Sequence, residues 1–143
     1  MPTIVFSVTN DLSYDQRMQR ICTSLAENGY SILLIGRKLK NSNPLKKYAF
    51  KTKRLNCFFS KGFLFYGEYN IRLFLFLLKI EANAFCAIDL DTILPVYFAA
   101  KIRKKIQVYD AHELFTEQKE IVTRKPIYAF WLAVEKFAVP KCT

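Results

Sequence analysis

Short apolar runs of strand type alternate along this chain with stretches of helical periodicity, and that alternation restricts the fold more than any other feature. Residues 4–8 form the first apolar run. Met18, Ile21, Cys22 and Leu25 then recur at helical spacing, while Arg17, Gln19, Arg20 and Glu27 take the opposite face. Ser13 and Gln16 stand three apart as in a capping box, and Asn28-Gly29 supplies the stop, glycine taking the left-handed conformation. Residues 31–35 form a second run, closed by Gly36. Strand, helix and strand joined at these lengths make a β-α-β unit with parallel strands and a right-handed connection.

The same rhythm continues. Residues 55–59 read as a third strand, 68–81 as a helix apolar nearly all round, 85–88 as a fourth strand and 106–109 as a fifth. Asp91 or Thr92 can cap a helix running to about residue 104, with Pro95 tolerable in its first turn. A last amphipathic helix follows Pro126, over 127–139. The expected fold class is α/β: a doubly wound parallel sheet with helices on both faces. At 143 residues, 52% hydrophobic and 15% aromatic, the chain has the length and material for one domain with a real core.

Several function classes are set aside by composition. Cys22, Cys57, Cys86 and Cys142 are widely spaced without a CxxC, and Cys22 and Cys86 fall within apolar patterns, which predicts reduced core thiols and a cytoplasmic protein. One histidine and scattered cysteines cannot build a zinc or iron site, so no metal is expected. Met1-Pro2-Thr3-Ile4 leads straight into a strand without signal-peptide character, which predicts that the protein is not exported. Residues 71–80 are strongly apolar, but Arg72 and Lys79 interrupt them and a span needs about 20 residues. The glycines Gly29, Gly36, Gly62 and Gly67 form neither GxGxxG nor a P-loop, which argues against a dinucleotide or ATP domain.

The net charge of +10 is unevenly placed. Nine Lys/Arg fall between Arg37 and Lys61, among them Lys46, Lys47, Lys51, Lys53 and Arg54, with no Asp or Glu between them. Tyr48, Phe50, Phe58, Phe59, Phe63, Phe65 and Tyr66 lie within or just beyond that segment. A basic-aromatic surface of this kind suits anionic lipid or nucleic acid, each Lys or Arg near an anionic leaflet contributing about 1 kcal/mol. The other reading is a solvated loop whose aromatics turn inward.

Polar residues collect where strands stop. Thr9, Asn10 and Asp11 follow the first, Asp89 and Asp91 the fourth, and Asp110, His112 and Glu113 the fifth. In open α/β sheets ligands bind at the carboxyl edge, so three strand ends supply one rim. His112 can donate a hydrogen bond or accept a proton at neutral pH, which makes it the acid/base or sugar-binding candidate; a histidine fixed by a neighbouring carboxylate is the structural alternative. Asp91 reads first as a helix cap.

The run from Asp89-Leu90-Asp91-Thr92 to Asp110-Ala111-His112-Glu113-Leu114-Phe115-Thr116-Glu117 resembles the N-terminal domain of bacterial group 1 glycosyltransferases, the retaining, nucleotide-sugar-using enzymes of the GT-B fold. Val8-Thr9-Asn10-Asp11 and Asp15-Gln16-Arg17-Met18 are similar to that family's first strand and the loop and helix after it, while residues 39–70 match only loosely. The resemblance implies a Rossmann-like domain forming one half of a GT-B architecture. It also implies His112 in the interdomain cleft against the transferred sugar, with Asn10, Asp110 and Glu113 shaping the acceptor side; Asp11 and Asp89, on the same rim, are the further substrate-binding candidates. The donor would be held by a C-terminal domain that this chain lacks, so the expected unit, residues 1–143, is an acceptor-binding domain inactive alone. No cofactor is implied beyond the nucleotide-sugar substrate. The acceptor would be a cell-envelope glycan or lipid-linked saccharide, with Lys46, Lys47, Lys51, Lys53 and Arg54 touching the acceptor or the inner membrane face. Two other classes stand beside this one: a non-enzymatic basic module for an anionic membrane surface or nucleic acid, and a stand-alone α/β enzyme using Asp110, His112 and Glu113.

Overall fold

The computed structural model describes residues 1–40, 42, 44, 47–112 and 117–142. Five strands, β1 (Thr3–Asp11), β2 (Ser31–Lys38), β3 (Lys51–Asn56), β4 (Ala84–Ile88) and β5 (Ile106–Asp110), lie in the order β3-β2-β1-β4-β5, and every pairing is parallel. Between and after them come α1 (Gln16–Glu27), α2 (Gly62–Leu77), α3 (Ile93–Arg103), the short α4 (Lys119–Val122) and α5 (Lys125–Ala138). The architecture is the expected Rossmann-like α/β sheet, in which α1, α2 and α3 serve as crossovers between parallel strands.

Alternation along each strand separates two cores. Phe6, Val8, Ile32, Leu34, Cys86 and Ile88 meet Met18 and Cys22 of α1 on one face. Val5, Ile35, Leu55, Phe85 and Ala87 meet Tyr69, Leu73, Val96, Ala99, Trp131 and Val134 of α2, α3 and α5 on the other. Each fully buried Leu or Met among these contributes about 1.5–3 kcal/mol. Strand order reverses between β1 and β4, because the chain moves outward from β1 to β3 and then restarts at β4 toward β5. A doubly wound sheet opens its ligand crevice at that reversal.

The elements depart from the sequence expectation in instructive places. Asp15, not Ser13, caps α1, its carboxylate accepting from the Met18 N–H at 3.1 Å. Gly29, at φ 92°, ends the helix as expected. Strand β2 does not close at Gly36 but runs on to Lys38. The glycine is required instead by close approach, since a Cβ there would stand 2.6 Å from Leu12 Cγ and 2.8 Å from the Asn10 carbonyl oxygen.

Strand β3 lies upstream of the expected 55–59, at Lys51–Asn56, with only Leu55 buried. An edge strand is held by its backbone ladder, and exposed lysines discourage a further strand from adding to it. The apolar pair Phe58 and Phe59 falls beyond it and is exposed. Helix α2 starts six residues before the expected 68 and stops at Leu77. Its buried stripe is Phe65, Tyr69, Leu73 and Leu77, while Phe63, Leu64, Ile71 and Leu75 stay exposed. An all-round apolar helix carries no phase, so its sequence did not say which stripe packs.

A 3-10 turn, Leu90–Thr92, precedes α3. Thr92 holds the N-cap position without capping: its hydroxyl donates to the carbonyls of Ser7 at 3.2 Å and Ile88 at 3.1 Å. Helix α5 begins at Lys125 with Pro126 in its first turn, and α4 was not anticipated. The four cysteines are free, and burial above all pushes the Cys22 and Cys86 thiols up to about 12, so both are inert at neutral pH. Among the described residues no helix is long and apolar enough to cross a membrane.

Candidate functional site

Residues 8–10 of β1 bulge out of register: Ser7 pairs with Ile35 and Asp11 with Arg37, leaving three residues opposite Gly36 alone. A bulge re-aims the side chains it carries. Tyr69 anchors this one from below, its buried hydroxyl donating to the Val8 carbonyl. Asn10 is thereby exposed above the crevice, and its Nδ2 donates to Asp15 Oδ2 at 3.1 Å.

Across the crevice, β4 and β5 end in a polar knot. His112 donates its backbone N–H to Asp89 Oδ1 at 2.7 Å, and Asp89 donates its own to the Asp110 carbonyl at 2.9 Å. His112 Nε2 stands 3.0 Å from Asp110 Oδ2, with the imidazole 13% exposed. Facing a carboxylate, Nε2 is placed to donate a hydrogen bond to Asp110. Asp89 adopts φ 61°, ψ 173°, a region almost reserved for glycine, at a cost of about 1–3 kcal/mol. The two hydrogen bonds just named hold it there.

These residues enclose a polar cleft of about 160 Å³ lined by Thr9, Asn10, Asp15, Arg17, Asp89, Asp91 and His112. Its floor is the buried bond from Thr9 Oγ1 to Asp91 Oδ2, at 2.6 Å. Burial first, and then the charges of Asp89, Glu135 and Asp91, push the nearby Tyr109 phenol up to about 12. Carboxylates and an amide arranged over a small wet cleft accept and donate hydrogen bonds to a polyhydroxylated ligand, with Arg17 as the local counter-charge. Among the described residues no group of His, Cys, Asp and Glu could hold a metal ion.

The predicted site residues divide. Asn10, Asp89 and His112 line one cleft, and Asp110 braces His112 from beside it. Asp11 lines neither this cleft nor its neighbour. It is buried with Arg54 at 3.3 Å, accepting also from the Ser13 N–H at 3.0 Å and the Ser42 hydroxyl at 2.5 Å. Burial raises its pKa, but these hydrogen bonds and the Arg54 charge outweigh it and hold the carboxyl below the usual range. Arg54 is thus committed to an internal ion pair and also donates to the Ser13 hydroxyl. Lys47, Lys51 and Lys53 are exposed, Lys53 lying 5.8 Å over the Phe76 ring. Glu113 and Lys46 lie outside the described residues.

Sequence reasoning missed the part played by Asp15 and Arg17. The only available signal was a carboxylate directly before a helix start, which helices carry as a cap for their own sake. In comparison with known proteins, no family model matches the chain, and no curated protein matches it in sequence.

Proposed function

We propose that this chain is the acceptor-side domain of a glycosyltransferase, one that moves a sugar from a nucleotide-sugar donor to a saccharide acceptor. The observation that carries the reading is the cleft at the sheet's reversal point, where a lone histidine, three carboxylates and an asparagine from three strand ends converge. In this reading His112 meets the reacting sugar from one wall, and Asn10, Asp89 and Asp15 bind hydroxyls of the acceptor. The donor would be held by a second domain facing the same rim, since no glycine-rich phosphate cradle follows β1 here. The domain by itself binds acceptor and does not turn over.

The test is a titration of the chain with a saccharide panel, followed by amide and imidazole NMR shifts. Shifts should gather at Asn10, Asp89 and His112, and Asn10→Ala or His112→Ala should weaken binding about tenfold, the worth of one lost hydrogen bond. Saccharide affinity unchanged in both variants would sink the reading. Consumption of a sugar nucleotide by the isolated chain would replace it with a self-sufficient enzyme.

A further inference from the structure

The rim does not stop at the histidine cleft. A second hollow of about 320 Å³ shares Thr9, Asn10, Asp89 and Asp91 with it and reaches Arg37, Ser60 and Lys61. A third, of about 550 Å³, shares Arg37 and Ser60 with the second and lies at the carboxyl ends of β2 and β3. Three contiguous hollows therefore form one trough along the strand ends. Its charge changes sign along the way. The far hollow is lined by Arg37, Lys38 and Lys40 with no carboxylate among its described lining residues, whereas the near one carries Asp15, Asp89 and Asp91.

Arg37 stands at the junction and is held rigidly. Its guanidinium carbon lies 4.2 Å over the Phe65 ring, its Nη1 donates to the Ser60 carbonyl at 2.9 Å, and its Nε is buried without a hydrogen-bond partner among the described residues. The loop that presents Ser60 is itself clamped, because the Phe58 and Phe59 N–H groups both donate to the Glu68 carboxylate at 2.9 Å. Among the described residues no carboxylate forms an ion pair with Arg37, in contrast to Arg54 on the neighbouring strand. A cation fixed in position and without an ion-pair partner among the described residues is preorganised for an anion, and a guanidinium matches phosphate oxygens in planar geometry.

We infer that the basic end of the trough is a phosphate subsite, taking the phosphate or diphosphate of a ligand whose sugar reaches the carboxylate-lined cleft around His112. The inference deepens the acceptor reading and rests on it: the acceptor is a phosphorylated saccharide, anionic at one end and polyhydroxylated at the other. Phe58, 89% exposed at the same hollow, gives an apolar contact on the outer side of the phosphate position.

The experiment uses the whole chain with inorganic pyrophosphate, measured by calorimetry at physiological salt, in wild type, Arg37→Ala, the exposed pair Lys38→Glu/Lys40→Glu, and the control pair Lys79→Glu/Lys136→Glu, which lines none of the three hollows. Circular dichroism melts confirm folding, and the Lys38/Lys40 pair decides if Arg37→Ala fails to fold. Pyrophosphate should bind wild type and the control pair alike and lose about tenfold or more in the other two. Equal weakening in control and test pairs, or no binding at all, overturns the subsite. Flotation with phosphatidylglycerol vesicles separates the sources of phosphate. Vesicle binding displaced by pyrophosphate assigns the subsite to a lipid headgroup, and pyrophosphate binding without flotation assigns it to a soluble phosphate ester. Vesicle or single-stranded oligonucleotide binding that pyrophosphate does not displace, and that the Lys38/Lys40 pair does not weaken, overturns the subsite in favour of general charge attraction. His112→Ala should leave pyrophosphate affinity unchanged, so saccharide affinity that is also unchanged in that variant, beside intact pyrophosphate binding, would indict the acceptor reading alone.

Discussion

The two ends of the strand rim are built on opposite plans. Where β1, β4 and β5 end, polar groups are tied to one another: Thr9 to Asp91, Asn10 to Asp15, Asp89 to the His112 backbone, His112 to Asp110. Where β2 and β3 end, cations line a wider hollow with no carboxylate among the described lining residues. The first plan fixes the direction of hydrogen bonds, which discriminates between hydroxyl arrangements. The second leaves charge free to act over a Debye length of about 8 Å, which attracts an anion without dictating its shape. A ligand spanning both would be drawn in by one end and identified by the other.

Breaking the seam between the two ends should cost most. Gly36→Ala puts a methyl group against the Asn10 carbonyl and the buried Leu12, and we expect about 3 kcal/mol of destabilisation in urea unfolding, with disturbed shifts on both sides of the seam. Next comes the floor of the acidic cleft. Thr9→Val removes the buried donor to Asp91 and should cost about 2 kcal/mol in the same measurement.

Smaller effects sharpen the comparison. Tyr69→Phe strips the donor from the Val8 carbonyl below the bulge and should cost about 1 kcal/mol while leaving pyrophosphate affinity intact. Asp89→Gly relieves the backbone and loses the carboxylate, whereas Asp89→Ala only loses it, so the glycine variant should be the more stable of the two by about 1 kcal/mol. Finding the alanine variant the more stable would remove strain from the account of this site.

Acid should act on the Asp11 pair last and least. Its folded pKa lies below the usual 3.8, so its contribution is fully present above that value and is lost as pH falls through the folded pKa. The acid limb of a stability profile should therefore be shallower in Asp11→Asn than in wild type. Parallel limbs would show that the carboxyl is not held in this way.

Legibility followed burial. Strands β1 and β4 were readable because they are apolar runs buried in the middle of the sheet, β5, an edge strand, because it keeps a short apolar run ahead of its polar end, and α1 because one apolar stripe opposes a charged one. Strand β3 was not, because an edge strand is held by backbone pairing with β2, which Lys51, Lys53 and Arg54 satisfy as well as valines would. The rim residues Asn10, Asp89 and His112 were visible as polar residues behind apolar runs. That Asp11, one residue from Asn10, turns away to Arg54 was not, because successive side chains of a strand point to opposite faces and the bulge decides which faces the crevice.

By itself the sequence determined the kinds and order of the elements and the polarity of the strand ends, because periodicity and burial are written in neighbouring residues. Only the tertiary structure decided that β1 lies between β2 and β4, and hence that Arg37, Asn10, Asp89 and His112 share one trough. The ladder that joins parallel strands is made of backbone groups common to every residue, so the choice of neighbours is settled by how all the crossovers pack at once.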